Sequence, residues 1–154
     1  MEQDVVEQIG TIVGENNYST RIADLYTYGF DASIHHVTPE IVVQPRSTEQ
    51  VSKLMKLANS LKIPVVPRGA GTGLCGGAVP LKGGMVMDLT RMNKIKEIRV
   101  EDLYCVCEAG VVYDQLQKAL GPYKFTFPPT PGSAEACTIG GMVSTNASGM
   151  RAIK

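Results

Sequence analysis

Five of the ten residues in Arg68-Gly-Ala-Gly-Thr-Gly-Leu-Cys-Gly-Gly77 are glycine, and the run follows an apolar, strand-like stretch, Ile63-Pro-Val-Val66. Glycine lacks a Cβ, so it reaches backbone angles closed to other residues and lets a second molecule approach the chain closely. A run this permissive can turn successive N–H groups toward one point and form a concave anion site. The chemistry it offers is anion binding through the backbone, and the guest that fits a run of this length is a diphosphate.

Two phosphate motifs can be tested here. The phosphate loop of ATPases and GTPases requires G-x-x-x-x-G-K-[ST], and no lysine occurs between Arg68 and Lys82. The dinucleotide fingerprint G-x-G-x-x-G is met literally by Gly71-Thr-Gly73-Leu-Cys-Gly76. That fingerprint must open a helix whose N-terminus faces the pyrophosphate. The continuation Gly77-Ala-Val-Pro80-Leu-Lys-Gly83-Gly84 places a proline and three glycines where that helix would run, so the match is coincidental. A plain surface turn is the bland alternative, but a turn rarely needs so many glycines.

The elements that must carry this loop follow from periodicity. Val5, Val6, Ile9, Ile12 and Val13 have helical spacing over Asp4–Val13, and Gly14 is a suitable stop. Between Tyr18 and Ser33 the pattern is mixed, with Leu25, Tyr26 and Tyr28 expected to cover the body of the fold. Ile41-Val-Val43 reads as a strand broken by Pro45-Arg46, after which Ser47 and Gln50 form a capping box. The helix it opens should present Val51, Leu54, Met55, Ala58 and Leu61 on one face. Ile63–Val66 then returns as a strand, giving a right-handed strand-helix-strand crossover with the glycine loop at the carboxyl end of its second strand. Ligands of α/β sheets sit at such ends.

Met85–Leu89 is a third apolar run, and Lys94–Ala109 reads as two strands meeting near Glu101-Asp102. A short helix with Tyr113, Leu116 and Leu120 on one face should be closed by Gly121-Pro122. Pro128-Pro-Thr-Pro131-Gly132-Ser133 reads as stiff and extended. A helix beginning near Thr138 carries Gly140 and Gly141, which cost about 1 kcal/mol each relative to alanine. Something must therefore approach the backbone there, either a ligand or a closely packed neighbouring element.

Composition narrows the function. Fifteen basic and fifteen acidic residues leave no electrostatic footprint for nucleic acid or an anionic membrane. No apolar stretch approaches the ~18 residues of a membrane-spanning helix, and no signal peptide opens the chain. Cys75, Cys105, Cys107 and Cys137 lack C-x-x-C pairing, so they read as free thiols of a cytoplasmic protein and not as metal ligands. Cys105 and Cys107 alternate along a strand and should face the same way. His35 and His36 read as ordinary polar positions. No catalytic and no metal-binding residue is assigned.

Taken in order, these segments resemble the N-terminal part of the FAD-binding domain of the vanillyl-alcohol oxidase and p-cresol methylhydroxylase superfamily. The nearest branch is that of glycolate oxidase and D-lactate dehydrogenase. The resemblance rests on Ile41-Val-Val43 with Pro45 and Ser47–Val51, on Pro64–Gly77, on Met87-Asp88-Leu89 with Met92-Asn93, and on Glu108-Ala-Gly110-Val111. It continues through Pro128-Pro129, Pro131-Gly132-Ser133, Thr138-Ile-Gly-Gly141 and Asn146-Ala-Ser-Gly149, and spans roughly residues 15–154.

The resemblance implies an α+β fold: a two-lobed FAD-binding domain of the p-cresol methylhydroxylase type, with an α/β first lobe and an incomplete second lobe. Residues 1–37 would be a helical lead-in, 38–94 the first lobe, and 95–154 the beginning of the second. It also implies that Arg68, Gly69, Ala70, Gly71, Thr72, Gly73, Leu74 and Gly77 wrap the FAD pyrophosphate. Pro131, Gly132, Ser133, Thr138, Ile139, Gly140, Gly141, Asn146 and Gly149 would line the flavin from the second lobe. Some relatives attach flavin to a histidine in this loop; none lies between Arg68 and Gly77, so binding is expected to be noncovalent. The expected activity is oxidation of a 2-hydroxy acid such as glycolate or D-lactate, with the remaining FAD and substrate portion, or a companion subunit, as partner. This chain alone is expected to be inactive. The alternatives are a noncatalytic remnant or assembly module that binds FAD weakly or not at all, and the FAD domain of a cell-wall sugar reductase or a molybdenum hydroxylase subunit.

Overall fold

The computed structural model describes residues 1–151, so the last three residues of the expected second lobe lie outside it. The chain divides into two compact units, Met1–Arg91 and Met92 onward.

The first unit opens with helix α1 (Gln3–Val13), whose capping Gly14 takes φ +88°, a value that favours glycine. Strand β1 (Tyr18–Ser19) and helix α2 (Ile22–Thr27) follow, then β2 (Ile41–Val43), α3 (Thr48–Leu61), β3 (Val65–Arg68) and β4 (Met85–Asp88). The sheet order is β1-β2-β4-β3, with β1 antiparallel to β2 and both β2 and β3 parallel to β4. Strands covered on both faces read as unbroken apolar runs, and β2 and β4 are buried at every position.

Alternation along the strands assigns the two faces. Ile41, Val43, Met85 and Met87 pack with Val5, Val6, Ile9 and Val13 of α1 and Leu54 of α3. Val42 and Val86 point the other way, against Leu25 of α2 with Tyr28 and Val66. Residues 1–37 therefore contribute to both layers around the sheet. Within the strand-helix-strand unit β4 lies between β2 and β3, so the two strands joined by α3 are not adjacent.

Helix α3 is capped as the sequence implies, with Ser47 Oγ accepting from Gln50 N at 3.3 Å. The return bond of Gln50 Oε1 goes to Arg46 N at 2.7 Å, one residue earlier than in a standard capping box. Its inner face comprises Leu54 and Ala58, flanked by partly buried Val51 and Leu57. Met55 and Leu61, expected inside, are exposed: Met55 falls on the flank of the stripe and Leu61 ends the helix beside the left-handed cap Lys62. Strand β3 begins two residues later than the apolar run suggests, because Ile63 N donates back to Ala58 O at the end of α3 and Pro64 has no N–H to give a ladder. Pro67 is tolerated because β3 pairs with β4 alone.

In the second unit, β5 (Ile95–Arg99) and β6 (Tyr104–Cys107) form an antiparallel hairpin. Cys105 and Cys107 share its more covered face, while Tyr104 and Val106 are exposed. Helix α4 (Tyr113–Leu120) ends at Gly121 as expected, and a 3-10 turn over Gly121–Tyr123 follows it, since proline is tolerated in the first turn of a helix. Of the run expected to be extended, Pro128 sits at a bend and residues 129–131 belong to no regular element. Residues 132–136 then turn, with Ala134 N donating to Pro131 O and Cys137 N to Ser133 O. Helix α5 (Ile139–Ser144) is capped by Thr138, whose Oγ1 accepts from Gly141 N at 3.3 Å. Tyr113, Cys137 and Met142 form the small core of this unit, flanked by Phe127, Ala134, Ile139 and Ala147.

Candidate functional site

The glycine-rich loop leaves the carboxyl end of β3. Among the described residues, none of the backbone N–H groups from Ala70 to Gly77 donates a hydrogen bond. Backbone groups left unpaired within the protein must find water or a ligand. Gly71 and Gly76 take φ +71° and +72°, so the chain turns twice within this run. Successive N–H groups in such turns form anion-binding concavities. A Cβ at Gly77 would meet no atom within 4 Å, leaving that stretch of backbone open to an approaching molecule. Leu74 is 75% exposed at the outer rim.

The opposite side of the loop is occupied. Arg68 is buried, its Nη1 donating to Phe30 O at 2.7 Å and its guanidinium lying 5.5 Å from the centre of the Tyr28 ring. Among the described residues it makes no ion pair within 4.0 Å. Burial pulls the guanidinium below its ordinary value, and the Tyr28, Asp88 and Asp31 side chains act in the other direction. A Cβ at Gly71 would fall 2.2 Å from Arg68 Nη2, so a side chain there would displace the guanidinium as well as strain the backbone.

The sequence leaves open that Arg68 pairs with a carboxylate such as Asp88, but Asp88 is engaged by other groups. Asp88 Oδ2 accepts from Tyr28 Oη and from Gln44 Nε2, each at 2.7 Å, while Oδ1 accepts from Thr90 N at 2.9 Å. Burial, then the hydrogen bond to Asp88 and its charge, push the Tyr28 phenol from 10.0 up to about 12. Because the folded value is raised, the unfolded chain releases this proton first. The contribution of neutral Tyr28 to stability is complete below pH 10.0 and is lost as pH rises toward about 12. The melting temperature of the native chain should therefore fall more steeply across that window than that of Tyr28→Phe. Parallel curves for the two proteins would show that the phenol is not held in this way.

The second unit holds the other sequence-nominated residues, and several already have structural duties. A Cβ at Gly140 would lie 2.7 Å from Ala109 Cβ and 2.8 Å from its carbonyl oxygen. One at Gly149 would lie 1.8 Å from Thr130 O, so Gly149 and the Thr130-Pro131 backbone are in intimate contact. Thr138 is buried as the cap of α5, with Gly141 as its donor. The bland reading, close packing of the chain against itself, thus accounts for Gly140 and Gly149. A Cβ at Gly132 meets no atom within 4 Å, and Ser133 and the half-buried Ile139 flank the same turn and helix start. Asn146 takes a left-handed φ of +48° and lines an apolar cleft of about 260 Å³ with Phe127, Pro129, Met142, Val143 and Ala147.

Groups that could perform acid–base or metal chemistry are sparse. His36 lies 4.7 Å from the Tyr26 ring centre, and His35 abuts Gly76. The four cysteines are free, and among the described residues no three His, Cys, Asp or Glu side chains are grouped to hold a metal. No helix among them is long and apolar enough to cross a membrane.

Comparison with known proteins gives these features a context. Residues 39–154 match the family described as FAD binding domain. Over 153 residues, 99% of its length, the chain is 35% identical to glycolate oxidase subunit GlcD of Bacillus subtilis, covering 33% of that protein. It is 43% identical over 132 residues to D-lactate dehydrogenase of Archaeoglobus fulgidus, covering 82% of this chain and 29% of that one. Among solved structures, alkyldihydroxyacetonephosphate synthase superposes with a TM-score of 0.88 at 23% identity, over 97% of this chain and 33% of that one. p-Cresol methylhydroxylase superposes at 0.74 and 26% identity, over 87% and 27%. The fold is that of p-cresol methylhydroxylase-type FAD-binding proteins, and the chain spans about a third or less of each of these relatives.

Proposed function

This chain belongs to the FAD binding domain family, and from that premise we propose that it is the cofactor-holding portion of a flavin-dependent oxidoreductase acting on a 2-hydroxy acid of the glycolate or D-lactate type. The observation that carries the reading is the run of eight free N–H groups, Ala70–Gly77, at the carboxyl end of a parallel strand. These residues hold the pyrophosphate, with Gly69 and Gly71 giving the backbone its path. Leu74 and Thr72 flank the approach, and Arg68 supplies positive charge from beneath. Pro131, Gly132, Ser133, Ile139, Gly141 and Asn146 offer the second unit's surface to the flavin. Thr138, Gly140 and Gly149 shape that surface through the contacts already described.

The bound flavin supplies the two-electron chemistry, while these residues position it and withdraw it from water. No histidine lies in the loop to form a covalent bond, which supports noncovalent attachment. The free thiols support a cytoplasmic setting. The hydroxy acid, and the groups that take its proton, belong to the remaining length seen in the relatives or to a companion subunit.

The experiment is a binding and turnover assay on the purified 154-residue chain. Flavin fluorescence should be quenched by the protein with FAD preferred over NAD, and denaturation should release the FAD intact. Glycolate or D-lactate with an artificial electron acceptor should be turned over no faster than by free flavin, since a substrate-holding constellation is required for catalysis. Flavin retained on precipitated protein would refute noncovalent binding. Stereoselective dye reduction would place catalytic groups within this chain, and binding of NAD with no FAD would refute the reading.

A further inference from the structure

The back of the glycine-rich loop is tied to one short stretch of chain, residues 30–35. Phe30 O accepts from Arg68 Nη1 at 2.7 Å, Ala32 N donates to Gly73 O at 2.9 Å, and Asp31 Oδ2 accepts from Ala78 N at 3.5 Å. The Asp31 carboxylate lies beside Gly73, and the His35 ring lies beside Gly76. Asp31 is only 7% exposed and Arg68 only 9%. Asp31 is aimed by its own neighbour, since Oδ1 accepts from Ser33 N at 2.8 Å. Placing a carboxylate and a guanidinium largely out of water is costly unless their hydrogen bonds and mutual attraction repay it. A carboxylate near an anion site is also unfavourable for affinity unless its charge is engaged elsewhere. Both features make sense if the pair shapes the loop.

We propose that Asp31 and Arg68 are positioning residues: with the backbone of residues 30–33 they brace the loop from behind, so that its Ala70–Gly77 N–H groups are ordered before any anion arrives. Ordering a loop in advance removes an entropic cost from binding. Burial alone would raise the Asp31 carboxyl, but hydrogen bonds from Ser33 and Ala78 and the Arg68 charge hold it below its ordinary value, consistent with a carboxylate engaged by the brace. The inference uses the flavin reading only to name the loop's guest.

The test is backbone ¹⁵N relaxation on the ligand-free chain, followed by FAD titration, for the native protein and for Asp31→Ala, Asp31→Asn and Arg68→Met. Native loop amides should show order parameters near ~0.85, those of rigid backbone, and Asp31→Ala should bring Gly71–Gly77 below ~0.6 while α1 and the sheet stay unchanged. FAD affinity should fall about tenfold in Asp31→Ala, equivalent to about 1.4 kcal/mol, and recover to within about threefold in Asp31→Asn, which keeps an acceptor oxygen. A loop as ordered in Asp31→Ala as in the native chain would overturn the inference. If Asp31→Ala does not fold, Arg68→Met decides by the same order parameters, with an unchanged loop overturning the brace. A native chain that binds no FAD refutes the functional reading alone, and the relaxation data still decide the brace.

Discussion

Replacing Gly71 with valine is expected to lower FAD affinity by at least about 100-fold, equivalent to about 2.7 kcal/mol. Three effects combine. Gly71 sits at φ +71°, where a β-branched residue is a steric outlier costing on the order of 1–3 kcal/mol. Its first side-chain atom would overlap Arg68, at 2.2 Å from Nη2 and 2.4 Å from Cζ. Valine's methyl groups would also narrow the approach to the free N–H groups. The sequence alone suggests that this change spares the fold. The buried Arg68 alters that expectation, because its guanidinium must shift from its place against Phe30 O and the Tyr28 ring to make room. A melting temperature lowered by several degrees should accompany the loss of flavin. Gly77→Ala is the control, since a Cβ there meets nothing and the fold should be untouched. Native affinity in Gly71→Val would return the loop to an ordinary surface turn.

The second large effect is expected in the other unit. Gly140→Val should reduce local stability by about 2–3 kcal/mol, since the new side chain is driven into Ala109 Cβ and the Ala109 carbonyl. Hydrogen-exchange protection across Ile139–Ser144 should drop by roughly 100-fold, whether or not flavin is present. Gly132→Ala should leave protection unchanged and weaken FAD binding. Unchanged protection in Gly140→Val would show that this glycine is not needed for packing. Native FAD affinity in Gly132→Ala would remove the turn after Pro131 from the proposed cofactor surface.

How much was legible beforehand follows from the range of each interaction. Local signals were readable: Ser47 and Gln50 mark a helix start, Gly14 a helix stop, and the apolar triplet Ile41–Val43 a buried strand. So was the place of the glycine loop, directly after the apolar run that leads into β3. Position within the sheet was not readable, since the order β2-β4-β3 depends on β4 returning between two strands that are nearer each other in sequence. Asp31 was invisible for the same reason: its partners Ala78, Gly73 and Arg68 lie some forty residues away. The Gly140 contact with Ala109 was half legible. The sequence indicated that something must approach the helix backbone, but not that it would be the chain itself.

The central claim, that the free N–H groups of Ala70–Gly77 receive the cofactor's pyrophosphate, is tested most directly by ¹H–¹⁵N correlation spectra of the 154-residue chain during FAD titration. Weak binding is sufficient for this measurement. The account predicts that the largest first-unit shifts fall on the amides of Ala70–Gly77, that inorganic pyrophosphate moves the same amides, and that Gly71→Val abolishes both responses. FAD saturating elsewhere while these eight amides stay still would contradict it.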